Sequence, residues 1–214
     1  MKKMKIMQIN FGYLRFFCIF AVSYYQNRER MKPIRLFLSD VDGCMTDGSM
    51  YYSAQGDELK RFNVYDGMGM VMLMQHGVKC GILTSETTDI VLNRARKLGL
   101  DYLYMGVGRQ KDRGEVLRHA PASAEAARLP FRTKLEACKD ICREMGIGLD
   151  EVCYVGDDIN DIDLLREAGI AACPANAVEE VRRTEGITRL ARKGGDGAIR
   201  ELSDRLIAEG NVPF

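Results

Sequence analysis

Two short acidic clusters, Asp40-Val41-Asp42-Gly43 and Gly156-Asp157-Asp158-Ile159-Asn160-Asp161, each come directly after an apolar run. Carboxylates at the ends of buried strands can share one divalent cation and still leave one of their number free to attack phosphorus. Hydrolysis of a phosphate ester needs such a nucleophile, a proton for the leaving oxygen, and positive charge around the phosphoryl oxygens. Asp40 is the nucleophile candidate, forming an acyl phosphate that water then cleaves. Asp42, two residues on, is placed to protonate the leaving alkoxide and afterwards to activate the water. Gly43 suits a tight turn that brings both carboxylates to one pocket. Mg2+ held by Asp40, Asp157 and a backbone carbonyl would offset the repulsion between carboxylates and phosphate. Thr84 offers a hydroxyl to a phosphoryl oxygen, and Lys134, opening a helix, offers a fixed cation.

Taken singly, each of these has an ordinary reading. DxD is most often a solvated turn, GDD a turn with a helix cap, Thr84 a cap for the helix from Thr87, and Lys134 a surface lysine. Their common position at strand and helix ends is what gives the set its meaning.

The rest of the composition narrows the chemistry. In 214 residues, 31 basic and 30 acidic side chains leave a formal charge of +1, which gives nucleic acid no polycationic surface to bind. The seven cysteines contain no CxxC pair. Cys138 and Cys142 share a helix face without a partner pair to complete a zinc site. Free thiols suit a reducing cytoplasm. The two histidines, His76 and His119, sit beside no nucleophile candidate, so chemistry with a histidine base is not expected.

Residues 1–30 differ in character from the remainder of the chain. Lys2, Lys3 and Lys5 precede an aromatic-rich stretch from Phe11 to Tyr25, broken by Arg15. That stretch is shorter than the roughly 20 residues a membrane span requires. Ala21-Val22-Ser23 is a weak cleavage site. The segment reads as an over-called start ahead of Met31, outside the fold, with no membrane partner.

From Met31 strands and helices alternate. Ile34 to Ser39 is a strand ending at Asp40. Met50 to Ser53 and Glu58 to Val64 form a hairpin around Ala54-Gln55-Gly56. Asp66 is expected to cap a helix running to Gln75. Val78 to Leu83, Tyr102 to Met105, Val152 to Val155 and Ile170 to Cys173 are strands. Thr87 to Leu98, Thr133 to Met145, Ile162 to Glu167 and about Asp196 to Ala208 are helices. Such alternation calls for a parallel sheet with helices on both faces, whose ligands lie at the carboxyl ends of the strands. Asp40, Thr84 and Asp157 all stand there.

Three segments carry a family resemblance: Leu38-Ser39-Asp40-Val41-Asp42-Gly43-Cys44-Met45-Thr46-Asp47-Gly48, Phe62-Asn63-Val64-Tyr65-Asp66-Gly67-Met68-Gly69, and Gly194-Gly195-Asp196-Gly197-Ala198-Ile199-Arg200-Glu201. Over about Pro33 to Gly210 the chain resembles the haloacid dehalogenase superfamily of phosphotransferases. Within it, the likeness is to the small capless group acting on phosphates of 2-keto-3-deoxy sugar acids, either eight-carbon octulosonate 8-phosphates or nine-carbon nonulosonate 9-phosphates. The resemblance implies a Rossmann-like parallel sheet in which a β-hairpin flap, residues 49–64, replaces a cap domain. It implies Asp40 as nucleophile, Asp42 as general acid/base and metal ligand through its carbonyl, and Asp157 as the third protein ligand of Mg2+. Asp158 and Asp161 would support the metal site, Thr84 and Lys134 would hold the phosphate, and Lys60, Ser85, Glu86 and Asp196 are candidate substrate contacts. It also implies a homotetramer built by the hairpin, with a neighbour's tail near residues 193–198 closing the pocket. Met68, Met70, Met72 and Met74 read as core or subunit packing.

Two departures qualify the likeness. Ser85-Glu86 and Asp196 stand where the octulosonate branch carries arginines. Arginine clamps a carboxylate, whereas Glu accepts from hydroxyls or amides, so the lean is toward a hydroxyl-rich or N-acylated nine-carbon acid. Residues 108–132 are an insertion, read as a surface excursion, and Lys134 rather than Lys111 is the third-motif lysine. The alternative function is a non-catalytic oligomerisation module of the kind associated with cytidylyltransferases.

Overall fold

The computed structural model describes residues 32–108, 116–119, 126–129 and 133–213. The expectations for residues 1–30, and for Lys111 within the insertion, lie outside the described residues. Residues 33–214 form one unit.

Six strands run parallel: β1 (Leu36–Ser39), β4 (Lys79–Thr84), β5 (Tyr102–Met105), β8 (Val152–Val155), β9 (Ile170–Cys173) and β10 (Thr188–Arg189). β6 (Val116–His119) and β7 (Ala126–Leu129) continue the sheet antiparallel, giving the order β10-β9-β8-β1-β4-β5-β6-β7. A separate hairpin pairs β2 (Tyr51–Ser53) with β3 (Gly56–Leu59). The helices are α1 (Val64–Gln75), α2 (Asp89–Leu98), α3 (Lys134–Met145), α4 (Ile162–Glu167), α5 (Glu179–Arg183) and α6 (Ala198–Ala208).

Successive strand residues face opposite sides of the sheet, and both sides are buried. Phe37, Cys80, Ile82, Leu103, Cys153 and Val155 pack with α1, α2 and α6. Leu36, Leu38, Leu83, Tyr102, Tyr104, Val152 and Tyr154 pack with α3, α4 and α5. Two-sided burial explains why these strands read as unbroken apolar runs. On α1, Met70 is fully buried while Met68 is exposed, so the methionine stripe is only partly core. Gly69 lets α1 approach α6 closely, since a Cβ there would lie 3.0 Å from the Arg200 Cα.

Two expectations are corrected. Asp66 does not cap α1. Asn63 does, accepting from the Tyr65 amide, and Asp66 lies inside the helix. The Asp66 carboxylate instead accepts from the Gly197 and Arg200 amides, both at 3.1 Å, and so caps the N-terminus of α6. A carboxylate ahead of a helical pattern reads as that helix's own cap, and the long-range partner leaves no local signal. The second correction concerns the insertion, whose described residues, 116–119 and 126–129, are two strands of the sheet rather than a surface excursion. Arg118 of β6 lies over the Tyr102 and Tyr104 rings, at 5.7 and 5.5 Å, and pairs with Glu144 of α3 at 2.5 Å. Tyr104 donates to Asp140 on the same helix at 2.9 Å.

Arg118→Ala should therefore cost about 1–2 kcal/mol in urea unfolding, the sum of two cation–π contacts and one partly exposed ion pair. Amide exchange should accelerate first in β6 and β7. Unchanged exchange there would show that the added strands are held without this arginine.

Candidate active site

The carboxyl ends of β1, β4 and β8 sit side by side and deliver Asp40, Thr84 and Asp157 to one rim. The backbone of Asp40 continues the ladder, its amide donating to the Val155 carbonyl at 2.9 Å. Beyond it the chain turns sharply: Cys44, Met45 and Thr46 all direct their amides at the Val41 carbonyl, and Gly43 adopts φ +86°. A side chain at Gly43 would overlap the Asp157 carboxylate, so glycine is what allows the two acidic loops to meet.

Lys134 is supplied by a helix rather than by a strand end. Thr133 and Glu136 form a reciprocal capping box that fixes the start of α3, making Lys134 its first residue. A cation at a helix N-terminus opposes the helix dipole. Two carboxylates offset this: Lys134 Nζ lies 2.9 Å from Asp40 Oδ2 and 2.6 Å from Asp161 Oδ1, with the lysine side chain wholly buried. Burial works against the ammonium, yet Asp161 and Asp40 hold the lysine pKa above its usual value.

Oxygens of Asp40, Asp157 and Asp161 lie within 4.8 Å of one another. Three carboxylates thus face one buried ammonium. Burial, reinforced by the Asp40 and Asp161 charges, pushes the Asp157 pKa up to about 8. The Asp40 pKa is also raised, burial outweighing the neighbouring lysine. A group of hard oxygen donors with excess negative charge suits a small divalent cation, and Mg2+ fits this donor set. The hydrogen bonds separate the roles. Asp161 Oδ1 accepts from Lys134 and from the Tyr154 hydroxyl, and Oδ2 accepts from the Asp157 and Asp158 amides at 2.9 and 3.1 Å. All four acceptor positions are filled. Asp161 therefore orients Lys134 and the 157–158 loop, while Asp40 and Asp157 keep acceptor capacity for the ion. The Asp42 carbonyl, expected as a further ligand, has no donor among the described residues.

The other candidates separate into those at the rim and those elsewhere. Thr84 is buried, its hydroxyl accepting from the Glu86 amide at 3.1 Å. Ser85 donates to the Val107 carbonyl at 2.9 Å and accepts from Asn160 at 3.0 Å, tying the end of β4 to the loop after β8. Glu86 is half-buried next to it. Lys60 pairs with Asp42 at 2.7 Å. Asp158 is exposed and caps the adjoining turn through the Ile159 amide. Asp196 is exposed beside Asp66, at the foot of α6, and is not part of the carboxylate cluster.

Within its own chain the tail packs against the loop after β1. Gly195 donates to the Cys44 carbonyl at 3.1 Å. Asn176 accepts from the Gly194 amide at 2.7 Å and donates to the Gly43 carbonyl at 3.1 Å. A Cβ at Gly194 would overlap that carbonyl. Asn176, Tyr154 and Cys44, whose thiol lies 3.5 Å from Asp157 Oδ1, went unassigned in the sequence because nothing local distinguishes them from ordinary loop or strand residues.

Comparison with known proteins agrees with this geometry. The family profile described as haloacid dehalogenase-like hydrolase matches residues 130–188. The chain is 32% identical over 185 residues to the 3-deoxy-D-manno-octulosonate 8-phosphate phosphatase of Escherichia coli, covering 86% of this chain and 85% of that one. It is similarly related to the phosphatase of the same name from Yersinia pestis, at 32% identity over 84% of this chain and 82% of the relative. Among solved structures, the Moraxella catarrhalis 3-deoxy-D-manno-octulosonate 8-phosphate phosphatase in complex with magnesium ion, phosphate ion and a KDO molecule aligns with TM-score 0.70 at 30% identity, over 85% of this chain and 90% of that one. The cobalt-bound Haemophilus influenzae enzyme aligns with TM-score 0.69 at 27% identity, over 84% and 90%. On this identity and coverage, the chain belongs to the haloacid dehalogenase-like hydrolases, in the group of the 3-deoxy-D-manno-octulosonate 8-phosphate phosphatases, and is a phosphoric monoester hydrolase.

Proposed function

We propose that this protein hydrolyses the phosphate ester of a 2-keto-3-deoxy sugar acid, with 3-deoxy-D-manno-octulosonate 8-phosphate as substrate, through an aspartyl phosphate on Asp40. The observation that carries this reading is the meeting of Asp40, Asp157 and Asp161 around Lys134, in a chain whose named relatives are phosphatases for that compound. Asp40 and Asp157 would hold Mg2+, which when bound neutralises charge on the phosphoryl oxygens. Asp40 attacks phosphorus while Thr84 and Lys134 orient the phosphoryl group. Asp42 gives a proton to the leaving alkoxide, then takes one from the water that cleaves the acyl phosphate. With nucleophile, lysine and ligand carboxylates all retained, no observation favours a non-catalytic assembly role.

Glu86 favours a second reading. A half-buried carboxylate at the rim suits the hydroxyls or amide of a nine-carbon acid better than a second carboxylate. The protein is further proposed to act in a reducing, cytoplasmic setting as a homotetramer. Tyr51, Tyr52 and Leu59 on the hairpin and Val64, Tyr65 and Met68 on the first turns of α1 expose apolar surface suited to subunit contact. Among the described residues no helix is long and apolar enough to cross a membrane.

Asp40→Asn is expected to lower turnover at least roughly 10³-fold while keeping the fold, since it removes excess negative charge as well as the nucleophile. Undiminished turnover would assign the attack to another group. The kcat/KM ratio for octulosonate 8-phosphate against nonulosonate 9-phosphates should favour the former, and Glu86→Arg should widen the gap. A wild-type preference for the nine-carbon ester would make the second reading the correct one.

The site also sets a pH dependence. Asp157 has its folded pKa raised from 3.8 to about 8, so its contribution to stability is complete below about pH 4 and is lost as pH rises through about 8. Asp40 acts in the same direction. Metal-free protein should therefore lose urea resistance between pH 5 and pH 8, and added Mg2+ should restore more at pH 8 than at pH 5. Equal Mg2+ stabilisation at both pH values would speak against Asp40 and Asp157 as its ligands.

A further inference from the structure

Lys60 comes immediately after β3, where the hairpin returns to the domain, and its side chain reaches the loop after β1. Its Nζ donates to Asp42 Oδ1 at 2.7 Å, with the lysine side chain fully shielded from solvent. Thr46 Oγ1 contacts the same oxygen at 3.4 Å. Asp42 Oδ2 has no donor among the described residues. One oxygen of this carboxylate is therefore occupied from two sides and the other is open, which fixes the carboxylate torsion. A group that passes a proton to a leaving alkoxide must present one oxygen at hydrogen-bond distance, about 3 Å, and hold it there.

We propose that Lys60 is a positioning residue for the general acid: the flap lysine clamps Asp42 Oδ1 so that Oδ2 is the oxygen that gives and takes protons. This rests on the phosphatase reading. In the first step the Asp40 O–P bond forms as the P–O bond to the leaving oxygen breaks, and the Asp42 Oδ2 proton passes to that oxygen. In the second, water attacks phosphorus, its proton goes to Oδ2, the bond to Asp40 breaks, and Asp42 is ready again. Lys60 transfers nothing. A lysine on a flap could instead pair with the substrate carboxylate, but here it is buried and already engaged.

The test uses Lys60→Met and three esters: octulosonate 8-phosphate, β-glycerol phosphate, which is an alkyl ester with no carboxylate, and p-nitrophenyl phosphate, whose leaving group departs without protonation. The quantity read is kcat/KM, which ends at the first irreversible step, so the later role of Asp42 as base does not enter. The expected result is a loss of about 10²-fold on both alkyl esters and less than about threefold on the aryl ester, with Lys60→Arg recovering part of the loss. Equal losses on all three would reduce Lys60 to a structural role and overturn the inference. So would a loss confined to octulosonate 8-phosphate, which would make Lys60 a reader of the substrate carboxylate. A wild-type protein inert on all three would instead overturn the phosphatase reading itself.

Discussion

Crowding of like charge is the constraint around which this structure is arranged. Three aspartates have oxygens within 4.8 Å of one another, and a single buried ammonium pairs with two of them, Asp40 and Asp161. Burial disfavours the charged carboxylate, the Asp40 and Asp161 charges add to it, and the Asp157 pKa is raised accordingly. Much of the surrounding architecture can be understood as keeping the cluster assembled. The capping box pins Lys134, four donors saturate Asp161, and Gly43 lets the two acidic loops close without a side chain between them. What remains open, on Asp40 and Asp157, is acceptor capacity that a divalent cation could use.

The same arrangement divides the aspartates by task. Asp161 and Asp158 differ from Asp157 by only a few positions, yet one is buried and fully bonded, one is an exposed cap, and one keeps a free oxygen. Residue type alone cannot assign these roles, because all three are the same acid. Hydrogen-bond occupancy assigns them. The tail obeys a similar logic: Gly194, Gly195 and Asn176 hold the loop after β1, so the turn that follows Asp40 is gripped by distant parts of its own chain.

The insertion shows how a departure from a family pattern can be absorbed by the fold. Alanine- and arginine-rich composition gives little hint of a strand, but an exposed edge of β5 invites further pairing. Two antiparallel strands extend it. Arg118 then fastens them to α3, the helix that carries Lys134. A segment that looked peripheral is connected through one helix to the buried Lys134.

The linear sequence determined the parallel sheet, the order of its core elements, and the identity of Asp40, Thr84, Lys134 and Asp157 as residues at strand and helix ends. It could do so because strand burial on both faces writes continuous apolar runs, and because turns that present carboxylates need glycine at fixed offsets. Tertiary structure decided the rest. It turned the Asp66 carboxylate from the start of its own helix to the N-terminus of α6, set Lys60 against Asp42, and drew in Tyr154, Cys44 and Asn176. Each of these is a pairing between residues distant in the chain or hidden in an apolar strand. A hydrogen bond across such a separation leaves no periodicity to read: it exists only once the backbone has brought donor and acceptor together.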